Sequence, residues 1–357
     1  MISISDVAYV LGMDPARLTR WYKEVLSGFR QKAESGELRK DDIKIRSQSE
    51  QSIRIPVLEK NNIGQFIAID EKHIDGHYYT ILSNLETSKV IMCIKSVKSK
   101  EIYEAISKHF TNEQMFNVLV VTKDGSDAFD WVARQAFPKA VRIMDKFHVI
   151  NNLLNCMDDV RIYLKHKYVI DHHKQQEDLD RKYMVAIKDA KNKNISPPPK
   201  SMYKVQEVVY SNGETPKLLL HRSKHLLRTN SEKWNVEQKL RAQILFSEFP
   251  DLQHLYQILI KFKTWYTIGK LKEDDLKLRS AFDTWVHDLS TFKKYEPINS
   301  AILYLKKYKQ DILNYFQSGL TNAVAESLNR KINTLIYKSF GIRDLDFFFF
   351  RIKIYLS

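Results

Sequence analysis

Cysteine is nearly absent: the 357 residues contain Cys93 and Cys156 and no others. Two isolated thiols exclude a disulfide framework and a zinc–cysteine site, so both read as small buried residues of a chain kept in a reducing compartment. Long apolar runs are missing as well. No stretch approaches the roughly 20 residues of a membrane-spanning helix, and the first residues lack the basic-then-apolar layout of a secretory signal. A cytoplasmic location and no membrane partner are the expectations. Negative charge is in short supply: 43 Asp+Glu against 57 Lys+Arg leave a formal net charge of +14. Such a surplus calls for a polyanionic partner, with nucleic acid favoured over an anionic membrane. The remainder is ordinary: a hydrophobic content of 43% and a charged content of 28% suit two or three packed domains and argue against wholesale disorder.

Residues 1–40 have the layout of a helix-turn-helix. Ala8 allows two helices to cross closely, Gly12 supplies a turn, Asp14 caps the next helix and Pro15 suits its first position. Leu18, Trp21 and Tyr22 are expected to face inward, leaving Arg17, Arg20 and Lys23 for DNA. An ordinary helical hairpin shares this pattern; the basic composition favours DNA binding. A third helix would have to come from Ser27–Arg39. Residues 41–63 read as a linker with one edge strand, tracking a DNA backbone through Lys44, Arg46 and Arg54.

From Gly64 the pattern becomes α/β. Phe66–Ile69 is a short buried-type run that stops at Asp70, Glu71 and Lys72, a strand ending in carboxylates. A turn at Asp75-Gly76 leads to strands His77–Ser83 and Lys89–Lys95, then a helix over Lys100–Phe110. Phe116–Val121 reads as a buried strand ending at Asp124, Ser126–Phe137 as a helix, and Ala140–Met144 as a fifth strand closing on Asp145. This order resembles a ribonuclease-H-like mixed five-stranded sheet. In that arrangement the strands ending at Asp70 and Asp124 are neighbours, an inference from fold analogy and not from spacing. His73, Asp75 and His77 read as hairpin residues and Asp127 as first-turn helix charge.

A helix over Phe147–Lys167 follows, after which 172–215 loses periodicity and carries Pro197-Pro198-Pro199. Arg222, Lys224 and Arg228 lie in a basic, apolar patch expected to touch DNA, and only helices are expected from Glu232 to Phe316, with Trp285 better read as core than as a DNA contact. The resulting division is 64–168 for the first part of the core, 169–317 for a mostly helical insertion and 318–357 for core completion. On a helix after Gly319, Val324, Leu328, Ile332 and Leu335 form an apolar stripe, while Asn322, Glu326, Asn329, Arg330 and Asn333 share another face. A solvated helix face or a carboxylate metal site beside DNA would both look like this.

Taken together, Ile69-Asp70-Glu71-Lys72, Thr122-Lys123-Asp124-Gly125, Phe137-Pro138, Asp145-Lys146-Phe147-His148, Thr321-Asn322 with Glu326 and Asn329, and Phe340-Gly341-Ile342-Arg343 recur in the order that resembles DDE transposases of bacterial insertion sequences, of the ISL-three type. The resemblance runs from about Gly64 to the C-terminus. It implies Asp70, Asp124 and Glu326 as a catalytic triad, and a functional Asp145-x-x-His148 pair that could otherwise be a helix cap. It also implies metal-dependent strand cleavage and strand transfer on double-stranded DNA, in the bacterial nucleoid. Two Mg²⁺ ions, replaceable by Mn²⁺, would be held with Asp70 shared, Asp124 on one and Glu326 on the other. Lys72, Arg330 and Lys331 become phosphate clamps, and pairing of two element ends implies a homo-oligomer. Family members often begin with a cysteine-rich zinc module that this sequence lacks, so either the single helix-turn-helix binds the element ends alone or a separate protein supplies the missing portion. A DNA-binding regulator or decayed transposase, and a structure-selective nuclease on the same fold, are the competing classes.

Overall fold

The computed structural model describes residues 4–44, 52–268, 274–320, 323–339 and 341–357. The chain divides into two units, Met1–Val149 with Gln310–Ser357, and Ile150–Lys270 with Asp274–Lys309. Arg46, Thr321, Asn322 and Phe340, all named above, lie outside the described residues.

The first unit begins with α1 (Ile4–Val10), α2 (Pro15–Trp21) and α3 (Phe29–Glu34). Gly12 turns the chain with a positive φ of 60°, and the Asp14 carboxylate accepts the Arg17 N–H at 2.8 Å, capping α2 ahead of Pro15. The inward face runs from Leu18, which is buried, to Tyr22, whose ring meets Phe347 edge-on at 6.1 Å. Trp21 was expected inward and is instead 45% exposed. It stands three positions after Leu18, whereas Tyr22, four after, continues the buried line. Phe29 packs with Phe347 and Phe350, so the third helix is present and is anchored by the C-terminal end of the chain.

Strands β1 (Ile43–Lys44) and β2 (Ser52–Ile53) form a small antiparallel ribbon. The main sheet has six strands: β3 (Val57–Leu58), β4 (Phe66–Ile74), β5 (His77–Asn84), β6 (Lys89–Ile94), β7 (Val120–Lys123) and β8 (Val141–Met144). Their order is β3-β6-β5-β4-β7-β8. The expected meander is there in β4, β5 and β6, while β7 and β8 run parallel to β4. The expected five-stranded sheet gains β3 on its far edge, two buried residues after Pro56 that are too few to show a period. The expected strand at Phe116 is also corrected. After α4 (Ser99–His109), Thr111 and Gln114 form a reciprocal capping box that starts α5 (Asn112–Phe116), and the strand begins only at Val120.

Side chains alternate across the sheet. Ile67, Ile69 and Val121 face a layer that includes Ile102 and Ile106 of α4 and Phe129 and Val132 of α6 (Asp127–Ala136). Beyond β8, α7 (Lys146–Asn192) runs for 47 residues, far past the expected end at Lys167. Its second half has no buried stripe for a sequence pattern to report. Polar pairs one turn apart, Asp178 with Arg181 and Gln176 with Asp180, line it instead. The three prolines follow its end.

In the second unit the described residues contain α8 (Pro216–Arg222), α9 (Lys224–Arg228), α10 (Val236–Glu248), α11 (Pro250–Ile268), α12 (Asp275–Ser290) and α13 (Glu296–Lys307), and no strand. Leu219, Leu245, Leu255 and Phe282 are buried there, and the Trp285 ring meets Phe262 at 6.4 Å, as core residues do. The chain then re-enters the first unit with α14 (Lys309–Ser318), α15 (Ala323–Lys338) and α16 (Leu345–Leu356). Leu328, Ile332, Phe349 and Ile352 of the last two cover Tyr79 and Ile81 on the other face of the sheet. None of the described helices is long and apolar enough to cross a membrane.

Candidate active site

The sheet register assembles the site. Ile69 of β4 lies opposite Lys123 of β7, and Lys123 lies opposite Met144 of β8. The next residue on each strand is an aspartate, so Asp70, Asp124 and Asp145 fall on one line across three neighbouring parallel strands. The Asp145 N–H donates to the Lys123 carbonyl at 2.8 Å, which carries the alignment one step past the ladder. Asp70 does not end its strand, contrary to the sequence reading. β4 continues to Ile74 because β5 keeps pairing with it, Asp70 against Ile81. What ends at Asp70 is the pairing to β7, and that leaves its carboxylate at a step in the sheet.

Each carboxylate is held by a local donor. One Asp70 oxygen accepts the Glu71 N–H at 2.9 Å and the other accepts the Asn329 side-chain amide of α15 at 2.6 Å. Asp124 accepts the Ser126 N–H at 2.8 Å, while Ser126 caps α6. Asp145 accepts the Phe147 N–H at 3.3 Å through Oδ1, and its buried Oδ2 has no hydrogen-bond partner. The His148 imidazole lies beside that oxygen, with Nε2 at 3.6 Å. Glu326 sits on the α15 face that carries Asn329, and its carboxylate approaches the Arg330 guanidinium at 3.5 Å.

The electrostatics are those of anions without enough counter-charge. Burial raises the Asp70 carboxyl above its ordinary range, and the Asp124 charge adds to the rise against the Glu71 N–H, His148 and Asn329. Asp124 is likewise raised by burial, against the Ser126 N–H, His148 and Lys123. Asp145 is pushed up to about 6, by burial and by the charges of Glu326 and Asp70, with His148 opposing. Glu71 moves the same way through burial, Asp124 and Asp70. Among the described residues no three carboxylate, thiol or imidazole groups stand close enough together to hold a metal ion as they are. The donor set nevertheless suits a hard divalent cation: all oxygen, buried and mutually repulsive, with one Asp145 oxygen uncompensated.

The structure therefore brings Asp70, Asp124, Asp145, His148 and Asn329 together, with Glu326 on the adjoining helix. Lys72 is half-buried beside Asp70, and burial lowers its pKa. Arg17, Arg20 and Lys331 are exposed, and so is Arg330 beside Glu326. Lys23, expected on DNA, bridges to Asp344 at 2.7 Å, and Arg54 is held by Asp42 at 3.0 Å and Asp346 at 2.7 Å. In the second unit Arg222 pairs with Glu214 at 3.2 Å, Lys224 lies 3.8 Å from Asp158, and Arg228 donates to Asn151 and Asn155. Three residues escaped the sequence reading. Lys123 is fully buried and paired with Asp130 of α6 at 3.1 Å and Asp311 of α14 at 3.0 Å. The readable signal was a lysine in an otherwise apolar strand, pointing away from its neighbour Asp124.

A family model for transposases, the ISL3 group of the DDE type, matches residues 67–352. The chain belongs to this transposase family. The matched span runs from the second residue of β4 into α16 and so takes in every carboxylate of the site. No curated protein and no solved structure gives a match. A transposase works on DNA, and the net charge of +14 suits that polyanionic substrate.

Proposed function

We propose that this transposase cuts and joins DNA strands at Asp70, Asp124 and Glu326, on a ribonuclease-H-like core. The observation that carries the reading is buried Asp70 and half-buried Asp124 side by side at the point where two parallel strands part, with Asn329 bonded to Asp70 at 2.6 Å from the helix that bears Glu326. That bond ties the helical acid to the sheet acids, which lie more than 200 residues away in the chain.

Asp70, Asp124 and Glu326 would hold the divalent cations, two per site, Mg²⁺ or Mn²⁺ in its place. When bound they supply charge neutralisation at the scissile phosphate and a more acidic attacking hydroxyl. The protein's own groups do the rest. Asn329 and the Glu71 N–H fix the direction of the Asp70 carboxylate, and the Ser126 N–H does the same for Asp124. His148, held beside Asp145, donates to a phosphate oxygen and keeps it in line for attack. Lys72, Arg330 and Lys331 clamp neighbouring phosphates. The N-terminal helices act as a helix-turn-helix that binds the element ends through Arg17 and Arg20, and a homo-oligomer pairs two such ends.

The test is a labelled terminal repeat incubated with the full chain, Mg²⁺ and a target plasmid. The expected products are a freed 3′-hydroxyl at the element end and its joining to the plasmid, with Asp124→Asn losing both and keeping end binding within about twofold. Cutting without joining would replace transposition by a nuclease reading. Undiminished joining by the variant would remove Asp124 from the triad.

A further inference from the structure

We propose that Lys123 is a positioning residue of the site, a buried ammonium that sets the line on which Asp124 and Asp145 stand. The proposal rests on the active-site reading above and extends it to the opposite face of the sheet. Three observations converge on this one residue.

First, its backbone joins two of the acids: Asp124 follows it directly, and its carbonyl accepts the Asp145 N–H at 2.8 Å. Second, its side chain is 0% exposed and is gripped from two helices, by Asp130 of α6 at 3.1 Å and Asp311 of α14 at 3.0 Å. Third, the grip is braced from outside. Arg134 binds the second oxygen of Asp130 at 2.8 Å, and the Arg142 guanidinium lies 3.8 Å from both aspartates.

Stability alone does not account for such a cluster. Buried ion pairs gain little over apolar residues of similar size, because desolvation offsets the attraction. What an ion pair does supply is direction: an ammonium between two carboxylates has one place to sit, whereas an apolar side chain in a packed layer tolerates small shifts. Lys123 is the last residue of β7 that the ladder pairs, to Ile69 and Met144, and the chain is free of the ladder from Asp124 on. A clamp on that residue prevents the strand end from sliding, and a slide there would move Asp124 and Asp145 together. The clamp also needs α14, the first helix after the chain returns from the second unit, so the line of acids is set only once that late segment has docked.

The experiment compares the full chain with Lys123→Met/Asp311→Asn, which removes one charge of each sign, and with Asp124→Asn as a reference. Melting temperature, binding of a labelled element end, and single-turnover cleavage at saturating Mg²⁺ are read well below the melting transition. Positioning predicts a folded variant that binds the end as before and cleaves about tenfold or more slowly. A folded variant cleaving within twofold of the parent, while Asp124→Asn is inactive, overturns the positioning role and leaves the active site standing. An active Asp124→Asn overturns the active site itself. Should the double variant not fold, Asp311→Asn alone, which keeps the Lys123–Asp130 pair, is put through the same three measurements and judged by the same outcomes.

Discussion

Carboxylates lie on opposite faces of one strand end, and Asp130 on one face comes out with the opposite acidity to Asp70, Asp124 and Asp145 on the other. On the site face Asp70, Asp124 and Asp145 are all raised: burial prevails over His148 and the amide donors, and neighbouring carboxylates add to the rise at Asp70 and Asp145. On the other face burial also pushes Asp130 up, but the Arg134 bond and the Lys123 ammonium more than reverse it, and Asp130 ends below its ordinary value. Desolvation acts on both groups. The difference is the counter-ion, which the fold builds into one face and withholds from the other. A face of anions left short of cations is one that binds cations; a face whose anions are already paired is one that holds the fold.

The contrast can be broken from either side. The largest effect is expected from Asp130→Asn, which leaves Lys123 half-neutralised in the interior and should cost about 3 kcal/mol, read from the urea midpoint at constant slope. A loss below about 0.5 kcal/mol, the size of an ordinary surface change, would show that the paired face does not hold the fold. Next is Asp145→Asn. A carboxyl raised from 3.8 to about 6 on folding stabilises the chain fully below its unfolded value, and this contribution is lost as pH rises through 6. The difference in unfolding free energy between parent and variant should therefore shift by about 2–3 kcal/mol between pH 4 and pH 7, at the expense of the parent as pH rises. A flat difference would mean that Asp145 is compensated after all. The smallest is Asn329→Ala, which removes the side-chain donor on Asp70. Cleavage should slow by about tenfold, the worth of one charge-assisted hydrogen bond, with end binding unchanged.

The sequence made the site face more legible than the paired face, and the reason is local. Asp70, Asp124 and Asp145 each close a short apolar run, so an abrupt change of polarity marks them. Asn329 and Glu326 share a helix face at a spacing of three, which a 3.6 period exposes. Lys123, Asp130 and Asp311 are scattered among ordinary residues, and nothing short of the fold brings them together. The same division holds for the elements. The β4–β6 meander carries the alternation that a strand leaves in sequence. The two-residue β3 is too short for any pattern, and the second half of α7 is mostly exposed and lacks a buried apolar stripe. The capping box at Thr111-Gln114 draws Phe116, the first residue of the expected strand, into α5, and pairing begins only at Val120.

The continuation of β4 through Asp70 to Ile74 has one more consequence, which concerns where the molecule is stiff. A carboxylate in mid-strand, cross-linked to β5 on one side and leaving β7 on the other, has given up its freedom during folding. Nothing is left to lose when DNA arrives. Glu326 is placed differently: it rides the first turn of a helix whose link to the sheet acids is the Asn329 side chain. The site thus has an anvil and a hammer. In the proposed active site Glu326 reaches the sheet acids from a helix whose Leu328 and Ile332 pack on the other face of the sheet, so the fit of that helix sets where the helical carboxylate stands.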